Sequence, residues 1–432
     1  MLNHRSGNVE GSAGTKTGAF AVLGPGLITG ASDDDPSGIA TYSQVGAQFG
    51  FGMSWVMLFS YPLMAATQEI SARIGRVTGH GIAGNIRAHY SPWLLRAVVG
   101  LLLVANIINI GADLGAMGDA LTLLLGGPAG LYVVLFAAGC VALEIFSRYA
   151  RYVSILKWLT LTLFAYVAVV LVVDMPWGQV LRETVVPTIV FDKDYIVGVV
   201  AVLGTTISPY LFFWQSSDEA EKERTTRGAR SLLKAPQQAA AELHRIRIDT
   251  YIGMGFSNLI GLCILLTTAA TLHARGIANI ESSAQAAEAL RPIAGDFAFA
   301  VFAIGIIGTG LLAVPVLAGS AAYAVGEALK WPTGLGRKPK KAKAFYGAVA
   351  VATLGGVGID LVNVDPIRAL FWSAVINGVV AVPVMAVMML MAAAPRVMGR
   401  WTLSRPLRIM GWVSTAVMAV TVVAMAATWL WA

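Results

Sequence analysis

From residue 366 to residue 393 a single charged side chain, Arg368, interrupts an otherwise apolar run, and runs of this kind recur along the whole chain. A helix needs about 20 apolar residues to cross the hydrocarbon core of a bilayer. The repetition therefore decides the class before any motif is read: an all-α polytopic membrane protein. Composition agrees, since 56% of the 432 residues are hydrophobic and only 13% charged, with a mean hydropathy of +0.69. A soluble domain of this size would carry a more polar surface. Eleven spans are predicted, at residues 18–48, 51–74, 93–125, 129–147, 152–174, 195–221, 248–271, 296–328, 345–361, 366–393 and 406–431.

The net charge of +7 does not point to nucleic acid, because Lys and Arg occupy the short gaps between apolar runs. With the N-terminus in the cytoplasm, only Arg182, Lys193, Arg275, Arg291 and Arg368 of the 31 Lys and Arg fall in outer loops. That asymmetry follows the positive-inside rule and places the C-terminus outside. The Lys run at 338–343 reads as topology, solvated or touching anionic headgroups. The charged, Ala/Gln-rich stretch 222–246 reads as a partly helical or mobile cytoplasmic connection. Residues 1–17 are polar, read as a cytoplasmic tail with no cleavable signal peptide. Cys140 and Cys263 lie within apolar runs, as small buried hydrophobes do, rather than in a disulfide or thiolate site.

Two spans are interrupted. The first contains Ser32-Asp33-Asp34-Asp35-Pro36-Ser37-Gly38. Three carboxylates inside a membrane span are costly, and Pro36 removes a backbone donor while Gly38 permits unusual dihedrals. An unwound segment exposing carbonyls beside a carboxylate is what a cation requires. The sixth span contains Gly204-Thr205-Thr206-Ile207-Ser208-Pro209-Tyr210. A proline kink packed by its neighbours would account for the sixth span alone, but not for the aspartates of the first. Interruptions at corresponding places in two successive five-helix halves point to a LeuT-like fold. The halves are inverted repeats at 18–174 and 195–393, with 406–431 appended as an eleventh helix. Asp35, just before the proline, is the strongest ligand candidate. Asp33 and Asp34 are read either as capping the half-helix or as lining a vestibule.

At these residues the chain resembles the Nramp (natural-resistance-associated macrophage protein) divalent-metal transporters. Gly24-Pro25-Gly26 and Asp35-Pro36-Ser37-Gly38 look like that family's first helix, with its Asp-Pro-Gly-Asn motif. Gly46-Ala47-Gln48-Phe49-Gly50, Ala72-Arg73-Ile74-Gly75, Ala112-Asp113-Leu114 and Arg247-Ile248-Asp249-Thr250 also match, in order and with compatible spacing. The resemblance implies a metal site at Asp35, Gly38, Thr205, Ser208 and Tyr210, with Asn377 of the tenth span as a further member.

The departures sharpen the expectation. The family's Asn falls on Gly38, its metal-binding Ala on Thr205, and its Met-Pro-His on Ser208-Pro209-Tyr210. A thioether favours softer transition metals, whereas Mg²⁺ wants oxygen and keeps several waters. Loss of the Asn and Met side chains is expected to leave room for water. The pattern looks like the divergent Nramp-related magnesium transporters, with Mn²⁺ hard to exclude. Family acids on the third helix fall on Asn106 and Ala116, leaving Asp113, and the His falls on Tyr210. Neutral groups relay protons poorly near neutral pH, so passive, potential-driven uptake of Mg²⁺ or Mn²⁺ is expected. The alternatives are a proton-coupled Mn²⁺/Fe²⁺ symporter and, against the acidic cluster, an organic-solute carrier.

Other polar residues read as structural. Glu69 and Gln68 are placed near the inner end of the second span and Glu144 near that of the fourth, with Arg73, Arg148 or Arg151 as ion partners. Asp218, Glu219 and Glu221 either decorate an inner mouth or are solvated. The chain shows no zinc-type His/Glu motif, Ser/His/Asp set or phosphate loop. No enzyme activity, prosthetic group or obligatory protein partner is expected, only the metal substrate and the bilayer.

Overall fold

The structure is a computed structural model that describes residues 29–30, 32–146, 160–360 and 365–430. These residues contain helices and connections and no strand. In chain order the helices are α1 (Pro36–Phe49), α2 (Ser54–Thr78), α3 (Ile82–His89), α4 (Pro92–Leu125), α5 (Ala129–Phe146), α6 (Phe164–Val172) and α7 (Trp177–Val185). They continue with α8 (Lys193–Thr206), α9 (Pro209–Thr225), α10 (Ala239–Thr271), α11 (Ser283–Glu288), α12 (Arg291–Ala294) and α13 (Ala298–Ala328). The last four are α14 (Lys343–Asp360), α15 (Pro366–Ala393), α16 (Pro395–Met398) and α17 (Arg405–Leu430).

Eight helical stretches among the described residues are long and apolar enough to cross a membrane, and a pair bent by 118°, Leu161–Val172 with Trp177–Val185, makes a ninth. Most observed ends lie within a few residues of those expected. The predicted first span shows helix at 29–30 and 32–33 and again from Pro36, so its break is at Asp34–Asp35. Its start at 18–28, and the first eight residues of the predicted fifth span, lie outside the described residues. The seventh helix differs most: α10 starts at Ala239, nine residues before its expected start at 248, so residues 239–246 of the charged stretch are helix. Leu232 and Leu233 donate backbone N–H bonds to the ends of α2, at Arg76 O and Val77 O.

Local chemistry explains the helix starts. Pro stands at the first helical position of α1, α4, α9 and α15, where its fixed φ suits a helix and its missing N–H costs nothing. Asp35, Ser91 and Asp365 cap α1, α4 and α15 by accepting a bond from a backbone N–H.

The broken helices sit at the centre. α1 packs against α10 and α15, α8 against α15, and α9 against α2 and α13, while α4 lies along α13 and α14. Two of these seams are backbone against backbone. A methyl group on Gly204 would collide with the Ala374 carbonyl of α15, and one on Gly75 with the Ser216 carbonyl of α9. Small residues let helices approach this closely where apolar lipid offers no hydrophobic drive. Leu58, Phe59, Phe256, Leu259, Val351, Val420 and Val423 face outward, exposed, as lipid-facing side chains do. Trp93, Trp177, Trp372, Trp412 and Trp429 are exposed near helix ends, in keeping with an aromatic belt, but Trp214 is fully buried.

Candidate metal-binding site at the two helix breaks

Asp35 has extended backbone (φ −70°, ψ 171°) and turns its carboxylate back over the start of α1. Oδ1 accepts from Gly38 N at 2.7 Å and from Ser37 Oγ at 2.6 Å. Oδ2 accepts from Asn109 Nδ2 at 3.2 Å and from the Tyr210 hydroxyl at 3.2 Å. The carboxylate thus has four donors, two from its own helix and one each from α4 and α9. A buried carboxylate without such donors would cost several kcal/mol. Asp35 is 1% exposed, and Asn109, Asp113 and Tyr210 are fully buried, so this conformation shuts the carboxylate off from solvent.

Asn109 is the residue that sequence reasoning missed. Its amide donates to Asp35 and, at 3.3 Å, to Asp113 Oδ2, and its carbonyl accepts from Asn377 Nδ2 at 3.2 Å. Asn377 therefore reaches the site through Asn109. A signal was present: Asn106, Asn109 and Asp113 are spaced by three and four, a single polar face on an apolar helix. Asn106 uses that face differently, bonding Leu317 O at 2.9 Å and Ser320 Oγ at 2.7 Å on α13.

The second break behaves unlike the first. Ser208 has extended backbone and makes no side-chain cap to α9. Its hydroxyl turns back to the end of α8, donating to Gly204 O at 2.9 Å and Thr205 O at 2.8 Å. The expected site residues thus divide: Asp35 and Tyr210 meet directly, Asn377 joins through Asn109, and Ser208 faces the α8 carbonyls. Gly38 and Thr205 come together as well, since a Cβ on Gly38 would lie 3.2 Å from Thr205 Oγ1 and 3.5 Å from the Tyr42 ring. The space expected from the missing Asn side chain is accordingly filled by Thr205 and Tyr42.

The three aspartates part company. Asp33 and Asp34 are buried rather than in an open vestibule, and the Ser257 hydroxyl of α10 bonds Asp33 Oδ2 at 2.6 Å and Asp34 Oδ1 at 3.1 Å. Among the described residues no three His, Cys, Asp or Glu side chains form a metal-ligating group. Any cation held here would rest on Asp35, with hydroxyl, amide and carbonyl oxygens completing its shell.

The basic end of the bundle carries the remaining acids. Glu69 pairs with Arg73 at 2.6 Å. Glu219 is not solvated but buried against Arg245 at 2.5 Å. The Glu221 carboxylate accepts from Leu335 N at 3.1 Å and Gly336 N at 2.6 Å and contacts the Tyr323 hydroxyl. Glu144 is buried, and its expected partners Arg148 and Arg151 lie outside the described residues. Gln68 and Ser71 of α2 bond the first-turn carbonyls of α9, Leu211 O at 3.0 Å and Phe212 O at 2.5 Å, which holds Tyr210 in place.

A family profile described as "Natural resistance-associated macrophage protein-like" matches residues 26–428. The chain belongs to the Nramp family. The divalent metal cation transporter MntH of Klebsiella pneumoniae is 26% identical over 426 residues, with 96% of each chain covered. That of Acidiphilium cryptum is 26% identical over 84% of this chain and 81% of its own. A crystal structure of the Eremococcus coleocola manganese transporter superposes with a TM-score of 0.73 at 16% identity, covering 95% of this chain and 87% of that one. The inward-facing conformation of Mhp1 superposes with a TM-score of 0.51 at 12% identity, over 95% and 90%. These likenesses establish the LeuT-like fold. Nramp membership makes the chain a multi-pass membrane transporter and not an enzyme.

Proposed function

We propose that the chain, in carrying divalent metal cations across the membrane, takes Mg²⁺ and also Mn²⁺, partly hydrated, without obligatory proton coupling. One observation carries the reading: every hydrogen-bond partner of Asp35 is a hydroxyl or amide, from Ser37, Gly38, Asn109 and Tyr210, and none is a thioether or imidazole. A carboxylate with hydroxyl oxygens beside it suits Mg²⁺, which sheds water reluctantly and binds through one or two carboxylates, while the Gly38 and Asn109 N–H groups hold the carboxylate itself. Asp35 is the proposed anchor. Thr205, Ser208 and Tyr210 are the proposed oxygen donors, with Gly38 leaving the backbone close, and Asn377 positions Asn109.

The absence of coupling is supported by the same polar face of α4. Asn106 is committed to α13, and Tyr210 stands against Asp35 as a hydroxyl donor. Asp113 alone remains as an acid there. With an N-terminus in the cytoplasm, inward-directed metal would be driven by the membrane potential, roughly 2.3 kcal/mol per charge per 100 mV and twice that for a divalent ion. The repeats proposed at 18–174 and 195–393 would rock about this site.

The test is uptake into proteoliposomes of Mg²⁺, Mn²⁺ and Cd²⁺ side by side with internal pH recorded. Mg²⁺ entry without acidification is expected. Cd²⁺ or Mn²⁺ entry with acidification and no Mg²⁺ transport would replace this reading with a proton-coupled Mn²⁺/Fe²⁺ symporter.

A further inference from the structure

A cavity of about 200 Å³ opens at the basic end between α2, α10 and the start of α17, lined by Glu69, Arg73, Arg247, Tyr251, Ser404 and Leu407 among others. It is separate from Asp35 and unused by transport as described above. Its charge is unbalanced. Glu69 is engaged by Arg73 at 2.6 Å, which leaves Arg247 as the surplus cation. The Arg247 guanidinium is exposed and stacks 5.9 Å from the Tyr251 ring. Arg405 and Arg408 stand exposed at the start of α17, beside the lining residues Ser404 and Leu407.

Two apolar stripes lead away from the cavity. On α10, Ile248, Ile252, Phe256 and Leu259 are exposed at helical spacing, beginning one residue after Arg247. On α17, Ile409, Trp412 and Val413 are exposed, beginning three residues after Pro406. A cationic, hydroxyl-bearing pocket at the end of two lipid-facing stripes has the dimensions and chemistry of one molecular class. We propose that it binds an anionic phospholipid, with the phosphate on Arg247, Ser404 donating a hydrogen bond, and the acyl chains lying along the two stripes.

Charge complementarity favours the lipid over other occupants. Planar guanidinium groups match phosphate oxygens with paired donors. Anionic headgroups attract basic groups at the bilayer surface, each worth about a fivefold gain in affinity. A lipid seated here would tie together α2, α10 and α17. α2 holds the first turn of α9 through Gln68 and Ser71, and α10 holds Asp33 and Asp34 through Ser257. The bound lipid would therefore stiffen the supports on either side of the broken helices.

Native mass spectrometry of the full chain, with phosphatidylglycerol or phosphatidylcholine added at equal concentration, tests this. Phosphatidylglycerol adducts are expected to exceed phosphatidylcholine adducts by about fivefold or more. Arg247→Gln should abolish that preference by removing charge, and Ser404→Trp by filling the space. Lys341→Gln, an exposed cation in the basic loop, should leave it intact. Equal binding of the two lipids, an undiminished preference in both pocket variants, or equal loss in Lys341→Gln would overturn the proposal. So would displacement of the lipid by millimolar inorganic phosphate, or a dimer free of lipid.

Discussion

The two helix breaks share a pattern, a proline following small polar residues in an apolar run, yet they do opposite things. At the first, Asp35 caps α1 with one carboxylate oxygen and offers the other to Asn109 and Tyr210. At the second, Ser208 caps nothing ahead of it and spends its hydroxyl on the carbonyls behind it. One break projects charge towards the centre of the bundle, and the other settles its own backbone. A proline marks where a helix stops, but the residue before it decides whether the gap becomes a ligand or a seal.

Four substitutions probe this asymmetry. Asp35→Ala removes the carboxylate that Asn109 and Tyr210 face at the first break and should reduce metal uptake by roughly 100-fold or more in proteoliposomes, the scale of a lost charged ligand. It also costs α1 its cap, about 1 kcal/mol, which a thermal melt should register as a small shift. Normal uptake in this variant would move the site elsewhere. Asn109→Ala strips one donor from Asp35 and leaves Asp113 and Asn377 without the amide they share, so uptake should fall by roughly tenfold. An unchanged rate would demote Asn109 to packing. Ser208→Met should raise Cd²⁺ uptake relative to Mg²⁺ by about threefold to tenfold, by adding a soft donor. An unaltered ratio would mean that the second break never meets the metal. Ser208→Ala should change Mg²⁺ uptake by less than about threefold, because a neutral hydroxyl already shared with the Gly204 and Thr205 carbonyls is a donor that water can replace. A loss as large as that of Asp35→Ala would erase the distinction between the breaks.

Much of the architecture was legible because bilayer physics leaves few options. The run at 366–393 is the helix α15, and the proline at each break starts a helix where expected. What stayed hidden depended on partners distant in the chain. The beginning of α10 reads only as part of a partly helical or mobile connection until Glu242 and Arg245 meet Arg76 and Glu219 from other helices. Composition cannot reveal such pairings. Asn109 carries no functional mark in the sequence, because an amide in a membrane helix commonly serves a neighbouring helix, and only its three partners join it to the site. The direction of the Ser208 hydroxyl is a rotamer choice set by the geometry of the break, which no residue pattern encodes. The short helix α3 escaped notice because its eight residues are too few for periodicity to register.

Helix α10 packs closely on the first broken helix on both sides of its gap. A methyl group on Gly30 would strike the Gly253 carbonyl, and one on Gly46 the Thr268 hydroxyl and the Leu265 carbonyl. α10 is then a common rail for both pieces, and Ser257 pegs the piece before Asp35 to it through Asp33 and Asp34. A saturation-mutagenesis scan scored by growth on limiting metal would reveal that rail as glycine-only positions at Gly30 and Gly46, where the first helix meets α10 on either side of the break.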